Sequence, residues 1–366
     1  MLFSPVRLGA VTLRNRVVMA PLTRQRAGAG DAPTALNAAH YAQRASAGLI
    51  IAEASQVSPR GKGYANTPGC HSPAQVAGWR LVTDAVHAAG GLIMLQLWHA
   101  GRRSHPALLD GALPLCASAV RPALPVRLPG GPEQPPVPHA VTLDEIPGLV
   151  DDFRRAAINA KAAGFDGIEL HGANGYLIEQ FLTDKANRRT DAYGGPIENR
   201  MRFMLEVVAA VTAVWGADRV GIRFSPFGHA NDGGDSNPAD TYGAAIRALD
   251  PLGLAFLHLI EPRVSGATDG DPDAPSAAAR FRPLWSGKLI VAGGFDRDRA
   301  DAILAAGTAD AVAFGRPYIS NPDLVDRLRQ RADFAPYDRA TFYGGGGAGY
   351  TDYPVLAGHP MQEGRL

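Results

Sequence analysis

Cysteine is nearly absent: the 366 residues carry two, Cys70 and Cys116, far apart and in no C-x-x-C pair. That excludes a disulfide framework and leaves no thiolate set for a zinc site or an iron–sulfur cluster. Net charge is nearly absent too, at +1 from 36 basic and 35 acidic residues, and no basic run stands out. Nucleic acid and anionic membrane surfaces find no electrostatic footprint here, and neither is expected as a partner. No stretch comes near the roughly 18 uncharged apolar residues that a spanning helix needs, so none is expected. The opening MLFSPVRLGAVTLRNRVV lacks the continuous apolar core and the small-residue cleavage site of a secretory signal. The expectation is a soluble, cytoplasmic protein, monomer or homodimer, with residues 1–366 as one domain. Its 46% hydrophobic content suffices for a large core.

What is present is an alternation. Strand-like runs begin at Val17 (VVMAPL), Leu49 (LIIAEASQ), Leu92 (LIMLQLWH) and Gly167 (GIELHG). Four more begin at Val220 (VGIRFSP), Ala255 (AFLHLIEP), Leu289 (LIVAGG) and Ala311 (AVAFGR). Helical patterns lie between them, opening at Pro73, Pro147, Pro196 and Pro238, with Asp296 capping a further one. Strands that alternate with helices are parallel, because each crossover must return the chain. This number of strands predicts a closed (β/α)8 TIM barrel. An open doubly wound sheet is the alternative, weakened because no G-x-G-x-x-G follows the first strand.

Three segments stand outside the repeat. Phe3 to Val17 reads as an N-terminal hairpin around Gly9-Ala10, closing the bottom of the fold. Residues 116–138, dense in Pro and Gly, cannot be a helix. They follow the third strand and are expected to form an excursion over the pocket mouth, mobile at its tip. The tail from Ala335 holds four successive glycines and the tyrosines Tyr343, Tyr350 and Tyr353, and is expected to fold back on the body.

Side chains at the C-terminal ends of barrel strands converge on one face, so those ends are where chemistry is sought. In IELHGANGYLIEQF, from Ile168, the residues His171, Asn174 and Tyr176 crowd a Gly-interrupted bend. Three polar side chains there suit the grip on one polar substrate atom, the alternative being a core histidine and a packing aromatic. Gly293 and Gly294, with Gly315 and Arg316, end the last two strands. Glycines let backbone N–H groups approach an anion, and Arg316 adds a fixed charge and a bidentate fork. That suits a phosphate, against ordinary glycine-rich turns, and with the nearby amides and guanidinium it suits a flavin nucleotide. Gln96 could meet the O2/N3 edge of the ring, Arg223 the N1–C2=O end that becomes negative on reduction, and Thr23 the C4=O end.

These residues bring a family into view. The chain resembles the Old Yellow Enzymes, FMN-dependent ene-reductases that include N-ethylmaleimide reductases and 12-oxophytodienoate reductases. The likeness runs in order through NRVVMAPLTR, EASQVSPRGKGY, HSPAQVAGW, QLWHAGR and GFDGIELHGANGYLIEQFL. It continues through RTDAYGGPIENR, GIRFSP, AVAFGRPYISNPDL and FYGGGGAGYTDYP, in the branch whose substrate pair is H-x-x-N. The resemblance implies that Pro21, Thr23, Ala54, Gln96 and Arg223 line the isoalloxazine, while Gly294, Gly315 and Arg316 hold the phosphate. It implies that His171 and Asn174 bind the activating oxygen of the substrate and that Tyr176 donates the proton. Tyr64, Trp98 and Tyr350 would shape the pocket, and NADPH or NADH would supply the hydride. Reduction of nitrate esters or nitroaromatics is the rival role on the same scaffold.

Two other classes compete. A metal-dependent barrel hydrolase would use His99, Glu169 and His171 as ligands, but no further acid cluster accompanies them. A flavin carrier without catalysis would need no H-x-x-N-x-Y constellation.

Overall fold

The computed structural model describes residues 1–265, 268–269 and 275–358. Eight parallel strands close into a barrel in chain order. They are Val17–Met19, Leu49–Gln56, Ile93–Trp98, Gly167–His171, Val220–Phe224, Phe256–Ile260, Leu289–Ala292 and Ala311–Phe314. The last strand returns to the first through Val312↔Val17 and Phe314↔Met19. All eight runs read as strands in the sequence are thus staves of the barrel, and the fold is the TIM barrel expected.

Because both faces of each strand are covered, the runs are buried along their length rather than alternating between buried and exposed residues. One parity points outward: Ile168, Leu170 and Ile222 join the helices in the main core. The other parity points inward, where Val18, Leu49, Ile51, Met94, Phe256 and Ile290 pack together. Further along the same inward parity the residues become polar. The register sets Gln96 beside Glu169, His171 beside Arg223, and Arg223 beside His258. An apolar plug with a polar floor above it is the platform on which the site stands.

The helices start where their caps direct. Pro73–Ala88 opens with a capping box between Ser72 and Gln75. Asn237 accepts from Asp240 N to open Pro238–Leu249, and Asp296 accepts from Arg299 N to open Arg297–Ala305. The pattern opening at Pro196 divides at Met201 into Ile197–Arg200 and Arg202–Trp215. A helix not read from the sequence, Ala35–Ala42, follows the first strand. It is too short to show a convincing period, and its buried face includes the polar Asn37 and His40.

The N-terminal hairpin is present, Val6–Leu8 against Val11–Leu13. Its Gly9, at φ +54°, sits so close to the barrel that a Cβ would come within 2.0 Å of the Asp218 carbonyl oxygen. The excursion contains no helix; it folds as a hairpin of Val126–Leu128 with Gly131–Glu133. The tail folds back as expected, its carbonyls gripped by Arg24 and Arg26. Among the described residues no helix is long and apolar enough to cross a membrane.

Candidate active site

A cavity of about 710 Å³ opens at the C-terminal face of the barrel, within the size range of sites that bury a small ligand or cofactor. Its walls include Pro21 and Thr23 from the first strand end, Arg223 from the fifth, Gly293 and Gly294 from the seventh, and Gly315 and Arg316 from the eighth. Tyr64, Asn174 and Tyr176 complete one side. Ala54 and Trp98 pack against Tyr176 and Tyr64 in a small cluster of their own. Gln96 is buried beneath the lining, beside Glu169 on the inward face of the barrel.

That floor is a hydrogen-bonded set. Glu169 accepts from Gln96 Nε2 at 2.7 Å through one oxygen and from His258 Nδ1 at 2.7 Å through the other. Burial holds His258 below its ordinary pKa, so it is a neutral donor to the carboxylate. Its bond to Glu169 engages the Gln96 amide nitrogen and fixes the orientation of the amide. Arg223 is 8% exposed, and its buried Nε has no hydrogen-bond partner among the described residues. Burial lowers the pKa of its guanidinium, against the pull of Glu169, yet an arginine stays charged at neutral pH. Arg223 also lines the cavity, and a buried cation there invites an electron-rich ligand edge.

The bend after the fourth strand explains its own sequence. Asn174 adopts φ +58°, a left-handed conformation that Asn tolerates better than most residues. Its N–H donates to Ser225 Oγ at 2.8 Å and its carbonyl accepts from Asn231 Nδ2 at 2.9 Å. Gly175 follows at φ +76°, where a Cβ would meet the Ala230 carbonyl oxygen at 2.8 Å. Tyr176 then caps the helix Leu177–Leu182. His171 Nδ1 accepts from the Ala173 N–H at 3.3 Å, which places the ring proton on Nε2 as a donor. Burial first, then Arg223 and His258, hold His171 well below its ordinary pKa, so it is neutral. Its ring meets Tyr176 edge-on, 4.9 Å between centroids. Burial holds the Tyr176 phenol well above its usual range, so it stays protonated. Its hydroxyl lies 2.9 Å from that of Tyr64.

The cradle formed by the last two strands fits a phosphate. Gly293 takes φ +114°, and a Cβ there would lie 2.8 Å from the Glu261 carbonyl oxygen. Only glycine serves at such a point, and it lets the backbone itself approach an anion. Together with the Arg223 and Arg316 guanidiniums and the Thr23 hydroxyl in the lining, the residues present match the needs of a flavin mononucleotide.

Five residues expected at the site, Ala54, Gln96, Trp98, His171 and Tyr350, are buried beside the cavity and not among those lining it. Tyr350 is fully buried behind the wall, stacked on His40 at 3.8 Å between ring centroids, with the Arg26 guanidinium 4.5 Å from its own. The tail lends Tyr343 to the cavity instead, with Phe342 and Tyr337. Arg127, from the excursion hairpin, also reaches the lining. The three tail tyrosines were the signal that could have led to Tyr343; nothing in the sequence singled out Arg127. The metal-hydrolase set does not converge. Glu169 is engaged by Gln96 and His258, His99 Nδ1 accepts from Gly101 N at 3.0 Å, and no group of three or more His, Cys, Asp or Glu able to hold a metal occurs among the described residues.

Comparison with known proteins agrees with this geometry. Residues 1–333 match the model of the NADH:flavin oxidoreductase / NADH oxidase family. A flavin oxidoreductase hxnT of Emericella nidulans is 44% identical over 96% of this chain and 97% of its own length. The 12-oxophytodienoate reductase 1 of Oryza sativa subsp. japonica is 43% identical over 97% and 93%. Among solved structures, morphinone reductase in complex with tetrahydroNAD superposes with a TM-score of 0.92 at 48% identity, covering 98% of both chains. The Old Yellow Enzyme homologue from Zymomonas mobilis gives 0.94 at 43% identity, covering 97% of this chain and 99% of its own. The chain therefore belongs to the Old Yellow Enzyme family of flavin oxidoreductases, and its cofactor is FMN.

Proposed function

We propose that the protein reduces the activated C=C bond of α,β-unsaturated carbonyls and nitroalkenes, with NADPH or NADH as the source of reducing equivalents. The observation that carries this reading is the neutral His171, its proton on Nε2, set edge-on to a protonated Tyr176 that shares the cavity wall with Asn174. Relatives named as reductases of 12-oxophytodienoate and morphinone support the substrate class. A relative holding tetrahydroNAD supports the nicotinamide donor.

FMN, when bound, supplies the hydride that reaches the substrate β-carbon. Gln96 and Arg223 would hold its pyrimidine edge, Thr23 its opposite carbonyl, Pro21 and Ala54 its ring, and Gly293, Gly294, Gly315 and Arg316 its phosphate. His171 and Asn174 donate to the substrate oxygen, where negative charge grows as the C=C bond is reduced. Each such donor in a dry site is worth about 3–4 kcal/mol. Tyr176, kept protonated by burial, delivers its proton to the α-carbon, a contribution on the order of 10²–10⁴-fold. Tyr64 and Trp98 bound the space above. The same two donors could grip a nitro group, so nitrate-ester or nitroaromatic reduction is the second reading.

Stopped-flow of the two half-reactions tests the assignment. His171→Ala combined with Asn174→Ala should lose far more in re-oxidation by 2-cyclohexenone than in reduction by NADPH. Equal loss in both would overturn the oxygen-binding role.

A further inference from the structure

Tyr176 loses a proton in the mechanism above, and the phenolate left behind sits in poor surroundings. Its side chain is 8% exposed and packs against Ala54, Trp98 and Ala100. A charge stranded there is costly unless a neighbour relieves it. The polar groups beside Tyr176 are Tyr64, Arg103, Asn231 and the His171 ring, whose one N–H is assigned above to the substrate oxygen. Arg103 is spent on the carbonyls of Leu124 and Pro125 and does not give up a proton. Asn231 carries no acid. Tyr64 is the one hydroxyl among them, 2.9 Å away.

The direction of that hydrogen bond follows from the chemistry. A proton that Tyr176 delivers to carbon points at the substrate, not at Tyr64. Tyr64 must therefore donate, and Tyr176 accept. We propose that Tyr64 is a proton relay, passing its hydroxyl proton to the Tyr176 oxygen as Tyr176 gives its own to the substrate. This rests on the reading of Tyr176 as the acid. The balance is simple. The Tyr176 O–H bond breaks as the α-carbon C–H bond forms, the Tyr64 O–H bond breaks as the Tyr176 O–H bond re-forms, and water returns a proton to Tyr64.

The surroundings of Tyr64 suit a relay open to solvent on one side. It lines the cavity and is only partly buried, whereas Tyr176 is enclosed. Its ring stacks on Trp98, 5.9 Å between centroids at 12°, and its carbonyl accepts from Thr67 Oγ1 at 2.9 Å, which together fix the hydroxyl. Beyond it stands Tyr343, 43% exposed, close enough that Tyr64 adds to the burial that raises its pKa.

The experiment is re-oxidation of pre-reduced holoenzyme by 2-cyclohexenone, followed at 460 nm in mixtures of H2O and D2O, for the wild type, Tyr64→Phe and Tyr176→Phe. Two protons in flight should give a bowed dependence of rate on deuterium fraction in the wild type. Tyr64→Phe should straighten it and slow the step roughly 10-fold or more, less than the loss of a positioned acid itself. A straight line in the wild type, which requires no variant, would overturn the relay. So would Tyr64→Phe at the wild-type rate while Tyr176→Phe is slow. Should Tyr176→Phe itself run at the wild-type rate, the acid assignment fails and the relay with it.

Discussion

The Glu169 carboxylate accepts the Gln96 amide nitrogen at 2.7 Å, with neither side chain more than 1% exposed. A carboxylate that accepts on both oxygens, from Gln96 and His258, organises the inner end of the site without reaching the cavity itself. Its removal in Glu169→Ala leaves two buried donors unpaired, each costing about 1–3 kcal/mol. The variant should unfold at lower urea concentration and hold FMN more weakly, because nothing then fixes the orientation of the Gln96 amide proposed to meet the flavin. Equilibrium unfolding of apoprotein and an FMN titration by fluorescence check both effects. An unchanged midpoint would show that the pair contributes little.

Gly293→Ala addresses the phosphate cradle. At φ +114°, with the Glu261 carbonyl oxygen 2.8 Å from any Cβ, alanine must shift the turn. A strained backbone of this kind costs roughly 1–3 kcal/mol. The turn is also where FMN phosphate is expected, so the variant should lose yellow colour on gel filtration more readily than the wild type. Full retention of flavin would place the phosphate elsewhere.

The tail is held from the opposite end of the chain. Arg24 Nε donates to the Phe342 carbonyl and its Nη2 to that of Gly349, each at 2.8 Å, immediately after the Thr23 that lines the cavity. Arg24→Ala should free the segment that carries Tyr343. The expected result is faster limited proteolysis after residue 334 and a KM for enone that rises more than kcat falls. A tail as protected as in the wild type would count against this.

Stability should depend on pH through Glu53. Burial raises its pKa from 4.5 to about 7, although Arg24 N and the Tyr41 hydroxyl donate to it. The folded state binds this proton more tightly than the unfolded state, so the contribution is full below pH 4.5 and is lost as pH rises through about 7. His40 and His171 act oppositely. Burial holds both well below 6.5, so their contribution is present above that pH and lost as the solution is acidified. Glu53→Gln, which keeps an oxygen for Arg24 N, should gain on the wild type between pH 5 and pH 8. Urea unfolding of both proteins at the two pH values reads the difference directly. A gap that does not change with pH would refute the buried-carboxyl account.

Much of this molecule was legible without coordinates because its signals are local. Apolar runs such as LIIAEASQ, Pro and Ser at helix starts, and Gly at strand ends follow from short-range sterics and burial. Their spacing sufficed for the barrel, and several strand-end residues read from the sequence, among them Thr23, Arg223, Gly294 and Arg316, line the cavity. The helix Ala35–Ala42 escaped because its eight residues are stabilised less by an apolar stripe than by tertiary partners, Asn37 reaching Tyr350 and His40 the Tyr350 carbonyl.

Which tail tyrosine faces the cavity could not be read locally either. Tyr343 and Tyr350 lie on an irregular, glycine-rich segment with no period to assign a face. Their directions are set by Arg24, 318 residues before the Phe342 carbonyl it holds, and by the stack of Tyr350 on His40. Strand identity and site chemistry were therefore written in neighbouring residues. The inward floor of Gln96, Glu169 and His258, the Tyr64–Tyr176 contact and the choice of Tyr343 were decided only when barrel closure brought distant segments within hydrogen-bonding reach.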